Sequence, residues 1–389
     1  MGFITEIPGT VCTPSPEKHP RALGLGVIGL HEGRTMLLAA ASRCRYVYPV
    51  AGCDLSEAKL AASRAEMPDL LYTTDYTQML RDPSVQVVAI YTPDALHAEH
   101  ITAAFEAGKH VICTKPVVGS LDGARDILSA GRRTGRRLMV GQSTRFFEPF
   151  LRQRAAFENR QIGNVELADA HYIHRMDWYY RKSEWVRENA DWVFLGLSHP
   201  IDLLRFYLGR IVSVHATGSR SAMAREFGVK NFDIYCASVV SGSGVQGRAM
   251  GHYGCHELPR ARNCIELMLY GDAGSSLAQY HDMRYVHTGT GGAAERSGLD
   301  PSGMQEIVED YLYAGRQYYF NSEVHGMHYG EFANYADHFG RAIIEGTPNS
   351  PDLLEAVETF CVMEAVRRSA ESRQVVDVRP LLAQIGMEA

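Results

Sequence analysis

The 389 residues carry 46% apolar and 22% charged side chains and a formal net charge of −6, the profile of an ordinary soluble globular chain long enough for two domains. The acidic residues are scattered and no basic face offers itself to a phosphodiester backbone or an anionic membrane, so neither nucleic acid nor membrane is an expected partner. No stretch reaches the ~20 unbroken apolar residues of a bilayer span, the first residues lack a secretory layout, and the eight cysteines show no Cys-x-x-Cys pair, which together point to a cytoplasmic chain with free thiols.

Residues 1–21, with Pro8, Pro14, Pro16 and Pro20 and no apolar period, read as an irregular leader. From Ala22 the pattern alternates: strand 22–29, helix 33–43, strand 47–53, helix 56–66, strand 85–91, helix 97–107, strand 109–113, helix 122–134 and strand 137–141. Strand, helix, strand repeated in this way predicts right-handed crossovers and a parallel sheet. Beyond Gln142 longer strand-like stretches follow at 165–174, 211–218, 233–240, 245–252 and 263–270, which suit a broad, open, mostly antiparallel sheet, and helices return at 329–345 and 352–371. The fold class is therefore α/β, with a parallel-sheet domain over 22–142 and a second α/β domain over 143–389. The glycine-rich stretch 288–293 reads as a mobile loop.

The stretch "GVIGLHEGR" (26–34) falls where the first strand turns into the first helix. Gly24, Gly26 and Gly29 satisfy a G-x-G-x-x-G spacing but lie within the strand, so that match is accidental. The physical need is for glycine at the turn: one for the tight bend, one for close backbone approach to a pyrophosphate, one for close helix packing. Gly29 fits the first role and Gly33 the third, while His31 stands in the second, where a side chain pushes phosphates outward or donates a hydrogen bond to one. The helix N-terminus favours phosphate in either case. Asp54, ending the second strand, stands where a carboxylate receives the ribose hydroxyls of NAD; its plainer role is a helix cap before Ser56. Arg34 and Arg64 can attract a 2′-phosphate, so NAD is expected and NADP stays open.

"YTPDALHAEHITAAFEAGKHVICTKPV" (91–117) resembles the Pro-x-x-x-His helix, the Ala-Gly-Lys-His-Val run and the Glu-Lys-Pro signature of the glucose-fructose oxidoreductase and inositol dehydrogenase (Gfo/Idh/MocA) family. The likeness continues in "GQSTRFFEPF", "GLSHPIDLLRFYLG", "IELMLYGDAGSSL" and the closing helices from "EFANYADHFGRAI" onward. It implies an NAD(P)-binding Rossmann domain, a second domain on an open sheet, oxidoreduction of sugars, polyols or related hydroxyl compounds, and homodimers or higher homo-oligomers formed through those sheets. It also assigns the turn carrying Thr92, Pro93 and His97 to the cofactor, beside Gly29, His31, Gly33, Arg34, Asp54 and Lys115.

Lys115 matches the lysine of Glu-Lys-Pro, where an ammonium beside the nicotinamide steadies negative charge on the reacting oxygen. Thr114 replaces the family's glutamate. His199 matches the active-site histidine, an imidazole able to take the hydroxyl proton; Leu195 replaces the aspartate that many relatives carry four residues earlier. Asp202, three residues on, can share its helix face, with Asp177 and Asp191 as other sources of the acid. "DWYYRKSEWVRENADW" holds Trp178, Trp185 and Trp192 at sevenfold spacing, the signature of one helical face. With Asp177, Tyr180, Arg181 and Arg187 alongside, these rings suit a sugar, and Arg145 in the crossing segment is counted with them as a substrate contact. His171, His174 and Asp177, the pair His252 and His256, and the pair His325 and His328 do not make a convincing metal site. Tyr311, Tyr313, Tyr318 and Tyr319 suit a glycoside or a neighbouring subunit. The function expected is NAD-dependent oxidation of a secondary hydroxyl on a sugar, glycoside or cyclitol. The alternatives are glycoside cleavage through transient oxidation, which yields no net NADH, and a non-catalytic cofactor-binding paralogue.

Overall fold

The computed structural model describes residues 16–182, 184–256, 264–280, 282–290, 304–311 and 331–388. Cys12, residues 291–293, Tyr313, Tyr318, Tyr319, His325 and His328 lie outside them. The chain divides into two compact units, one of residues 16–146, 331–360 and 382–388, the other of the described residues within 147–314 and 361–381.

The first unit runs β1 (Leu23–Ile28), α1 (Gly33–Ser42), β2 (Val47–Cys53), α2 (Glu57–Glu66), β3 (Leu71–Thr73), α3 (Tyr76–Arg81), β4 (Val87–Ile90), α4 (His97–Glu106), β5 (His110–Thr114), α5 (Leu121–Thr134) and β6 (Leu138–Gly141). Its strands pair in parallel in the order β3-β2-β1-β4-β5-β6. All residues of β1 and β4 are buried, which explains why these strands read as unbroken runs instead of alternating. The Ser120 side chain caps α5 at Gly123 N–H and Gly135, in the left-handed region, closes it. The helix Glu331–Glu345 sets Phe332, Ala333, Tyr335, Ala336 and Phe339 into one core with Met36, Leu37 and Ala40, so it belongs to this unit and not with the sheet that precedes it in sequence. The end of the leader is fastened too: Lys18 Nζ donates to the carbonyls of Ala40, Cys44 and Val47, at 2.5, 2.5 and 3.1 Å.

The second unit holds α6 (Glu148–Glu158), β7 (Val165–Ile173), three short helices α7 (Asp177–Tyr180), α8 (Glu184–Asn189) and α9 (Trp192–Leu195), then α10 (Ser198–Leu208). The remaining strands are β8 (Ile211–Ser219), β9 (Ile234–Ser241), β10 (Gln246–His252), β11 (Ile265–Gly271), β12 (Gly274–Tyr280), β13 (Arg284–Thr290), β14 (Met304–Asp310) and β15 (Val376–Asp377). Among the described residues these form a nine-stranded sheet in the order β14-β13-β12-β11-β7-β10-β9-β8-β15, with β7 and β10 parallel and the other pairs antiparallel. Burial alternates along the central strands: Ala168, Ala170, Ala249, Leu267 and Leu269 are buried on the face that packs α10 and α6, while Leu167 and Tyr270, register partners on β7 and β11, stand exposed on the other. No helix among the described residues is long and apolar enough to cross a membrane.

Candidate active site

In the first unit the expected cofactor residues gather at the carboxyl ends of β1, β2, β4 and β5. Gly29 has φ +91°, and a Cβ there would stand 2.6 Å from the Tyr91 carbonyl oxygen, so only glycine fits this turn. A Cβ on Gly33 would stand 2.5 Å from Val27 Cγ1, so a second glycine lets α1 lie close on the sheet. The helix begins at Glu32 without a side-chain capping bond. His31 is exposed on the turn and does not fill the junction between the two glycines. Asp54 Oδ2 accepts from Leu30 N–H at 2.8 Å and Oδ1 from Ser56 N–H at 2.9 Å, with Lys59 Nζ at 3.2 Å. Its carboxylate thus holds the glycine turn and the entry to α2 together, while a carboxylate's lone pairs leave room for further donors. These features fit a dinucleotide: a turn open to phosphate, an uncapped helix start, and an acid at the end of β2. Of the two cations able to meet a 2′-phosphate, Arg34 forks onto Glu66, its Nε 2.8 Å from Oε2, and Arg64 lies 5.4 Å over the Tyr72 ring.

Lys115 follows β5 directly and is partly buried. Loss of solvation pulls its pKa down from 10.5 to about 8, against the opposing pull of the Glu32 and Asp94 carboxylates, so the ammonium survives at neutral pH and is lost in mild alkali. The Lys115–Pro116 bond is cis. His97, expected to contact the cofactor, is instead enclosed: Nε2 lies 2.8 Å from the Thr92 carbonyl and Nδ1 2.7 Å from the Pro116 carbonyl, and burial pulls its pKa down. Thr92 Oγ1 in turn lies 3.0 Å from His100 Nδ1.

In the second unit His199 is the second residue of α10, buried, with its ring edge-on to Tyr172 at 5.6 Å. Asp202 is buried on the same helix. Tyr172 also meets Tyr253 edge-on at 5.5 Å, and Tyr253 stacks on Trp192 at 4.4 Å. A Cβ on Gly196 would strike the Tyr253 ring at 2.3 Å, so the turn entering α10 requires glycine because that ring already fills the space. The sequence reading missed Tyr172; the alternation of β7 puts Tyr172 on the same face as Ala170, and that was the available signal.

The remaining substrate residues divide. Tyr180 is fully buried, with Trp192 Nε1 donating to its hydroxyl, so it is core and not a sugar contact. Arg145 is buried as well, its NH1 on Ser350 Oγ at 2.9 Å and Glu355 Oε1 at 3.1 Å, a structural ion pair within the first unit. Trp178 is exposed beneath Lys182 Nζ at 4.7 Å; the side chain of Trp185 lies outside the described residues. The three tryptophans sit on α7, α8 and α9 in turn, so the sevenfold spacing does not make one helical face. Asp177 pairs with Arg175 at 3.1 Å and Arg181 at 3.5 Å. Asp191 caps α9 through Val193 N–H at 3.1 Å, and burial lifts its carboxyl to about 6. His171 lies 3.6 Å from Glu266, whereas His174 stacks on Tyr172.

The sequence of residues 23–142 matches the family described as an oxidoreductase family with an NAD-binding Rossmann fold, and residues 154–378 match the same family's C-terminal alpha/beta domain. The 1-carboxy-3-chloro-3,4-dihydroxycyclohexa-1,5-diene dehydrogenase of Comamonas testosteroni is 31% identical over 206 residues, 52% of this chain and 51% of its own; the match thus spans about half of that relative's length. The levoglucosan dehydrogenase of Pseudarthrobacter phenanthrenivorans is 25% identical over 339 residues, 80% of this chain and 84% of its own. A solved levoglucosan dehydrogenase in complex with NADH and levoglucosan shares the fold with a TM-score of 0.77 at 22% identity, over 92% of this chain and 99% of the other.

Proposed function

This chain belongs to the Gfo/Idh/MocA oxidoreductase family, and from that premise we propose that it is an NAD-dependent dehydrogenase of a secondary hydroxyl on a sugar, glycoside or cyclitol. Bound NAD supplies the hydride acceptor. The Gly29 turn and the start of α1 hold the pyrophosphate, and the lone pairs left on Asp54 receive the ribose hydroxyls. The engagement of Arg34 by Glu66 and of Arg64 by Tyr72 favours NAD over NADP. Lys115 donates to the reacting hydroxyl and steadies the negative charge that grows there. His199, with its ring edge-on to Tyr172 and with Asp202 three residues on along the same helix, is the candidate base for a hydroxyl proton. Trp178 and Asp177 are the substrate contacts retained in this reading.

The observation that carries the reading is the Lys115 ammonium, brought to about pKa 8 at a strand end and joined through His97 and Thr92 to the loop against the Gly29 turn. The named levoglucosan dehydrogenase supports a carbohydrate substrate. The exposed face carrying Leu167 and Tyr270 supports a homo-oligomer built through the nine-stranded sheet. The test is to incubate the protein with NAD and a panel of sugars, cyclitols and glycosides while following the absorbance of reduced nicotinamide. At least one should be oxidised, and His199→Ala should lose most of that turnover, the more so near neutral pH. No reduction of NAD with any member, or a His199→Ala variant with unchanged turnover and pH profile, would refute the reading.

A further inference from the structure

A lysine head group sits at the end of four rotatable bonds, so where it acts depends on how firmly its backbone is held. The turn that carries Lys115 is gripped by one imidazole. His97, the first residue of α4, is 1% exposed and stands between two carbonyl oxygens of different loops, Thr92 after β4 at 2.8 Å and Pro116 after β5 at 2.7 Å. A neutral ring donates to one of them and an imidazolium to both. The Thr92 side of the link is itself anchored, because Thr92 Oγ1 lies 3.0 Å from His100, whose ring meets Tyr76 edge-on at 4.7 Å. The same loop walls the glycine turn: a Cβ on Gly29 would stand 3.1 Å from Thr92 N. Thr114, standing before Lys115, offers no carboxylate to align it.

We propose that His97 is a positioning residue, which fixes the Lys115–Pro116 turn to the loop beside the Gly29 turn and thereby holds the Lys115 ammonium at the place where it acts. The proposal rests on the reading of Lys115 as the group at the reacting oxygen. It makes His97 a residue that touches neither cofactor nor substrate, yet governs turnover through another side chain. Its ring bridges two strand ends that the parallel sheet sets side by side, β4 and β5.

The test follows Lys115 itself as well as catalysis. Competitive acetylation with acetic anhydride across a pH series, read by mass spectrometry on the Lys115 peptide, gives the midpoint at which that amine loses its proton. The wild-type midpoint is expected near 8. In His97→Ala the freed turn lets the amine reach water, and the midpoint should rise by about one unit or more toward that of an ordinary lysine. kcat on the best substrate should fall about tenfold to a hundredfold, with KM for NAD changed by less than about threefold. His97→Gln, whose amide can still donate to one carbonyl, should recover part of both effects, and it serves as the test variant if the alanine variant does not fold. An unmoved Lys115 midpoint in a folded variant would overturn the proposal. So would a kcat lost in step with thermal stability and not recovered by glutamine, the pattern of a residue that only supports the fold. If the wild type oxidises no substrate on the panel, the functional reading fails by itself, and the acetylation midpoints still decide whether His97 holds Lys115.

Discussion

Replacing Gly33 by alanine isolates the close packing of α1 on the sheet. The new methyl would stand 2.5 Å from Val27 Cγ1 and 3.1 Å from the Tyr91 ring, where carbon atoms rest at about 3.5–4.0 Å, so the helix must withdraw by about 1 Å. Val27 is fully buried and cannot yield in its place. Overpacking of this kind costs about 1–3 kcal/mol. At roughly 2–4 °C per kcal/mol, the melting midpoint of the first unit should drop by about 2–12 °C. The withdrawal moves the helix start away from the bound anion, a loss of about 1–2 kcal/mol, or about five- to thirtyfold in Kd for NAD. Calorimetry and a titration followed by nicotinamide fluorescence measure the two effects. A midpoint and a Kd both equal to wild type would refute the packing argument. His31→Gly is the matched control: the imidazole is exposed on the turn, so Kd should stay within about twofold, and a large gain in affinity would show that the ring obstructs the site.

Lys115→Ala should keep the fold and NAD binding and lose most turnover, and in the wild type activity should decline through the pKa of about 8 because the charged form is the active one, falling about tenfold from pH 7 to 9; an alkaline limb near 10 would contradict the burial argument. Arg145→Leu removes the buried partner of Glu355, which is partly exposed and keeps Ser350 Oγ and Asp352 N–H as donors, and should destabilise the first unit by about 1–2 kcal/mol, seen as a lower melting midpoint; a raised KM for substrate at unchanged stability would return Arg145 to the substrate site. Tyr253→Phe removes a buried hydroxyl that finds no hydrogen-bond partner among the described residues and keeps the stack on Trp192, so stability should hold or rise by about 1 kcal/mol; a loss of that size in denaturant melts would mean the hydroxyl is satisfied.

The first unit was legible wherever a strand is apolar throughout and its helix has a clear face: β1, β2 and β5 through β6 fall within a residue or two of the reading, and Gly29, Thr92, Lys115 and Asp54 do converge. β3 and α3 were missed because three residues and six residues leave too little pattern to register. β12 and β14 were hidden by polar sequence, "GSSLAQY" and "MQEIVED", since half of a one-sided strand faces water. The tryptophan spacing misled because Asp191 starts a new helix inside the repeat. Arg145, Tyr180 and His97 look like site residues along the chain, but each finds an internal partner there, and for Arg145 the partners lie some two hundred residues on. Sequence order does not disclose which polar group a distant carbonyl or carboxylate will satisfy.

Asp54 ties two properties together that an engineer would wish to vary separately. One carboxylate oxygen holds Leu30 N–H in the glycine turn and the other holds Ser56 N–H at the head of α2. Any redesign toward the phosphorylated dinucleotide that simply neutralises or deletes this acid also strips an acceptor from the backbone of the loop meant to receive the ligand. A successful switch of coenzyme therefore has to be a paired change, one that admits the extra phosphate and at the same time hands Leu30 a new acceptor.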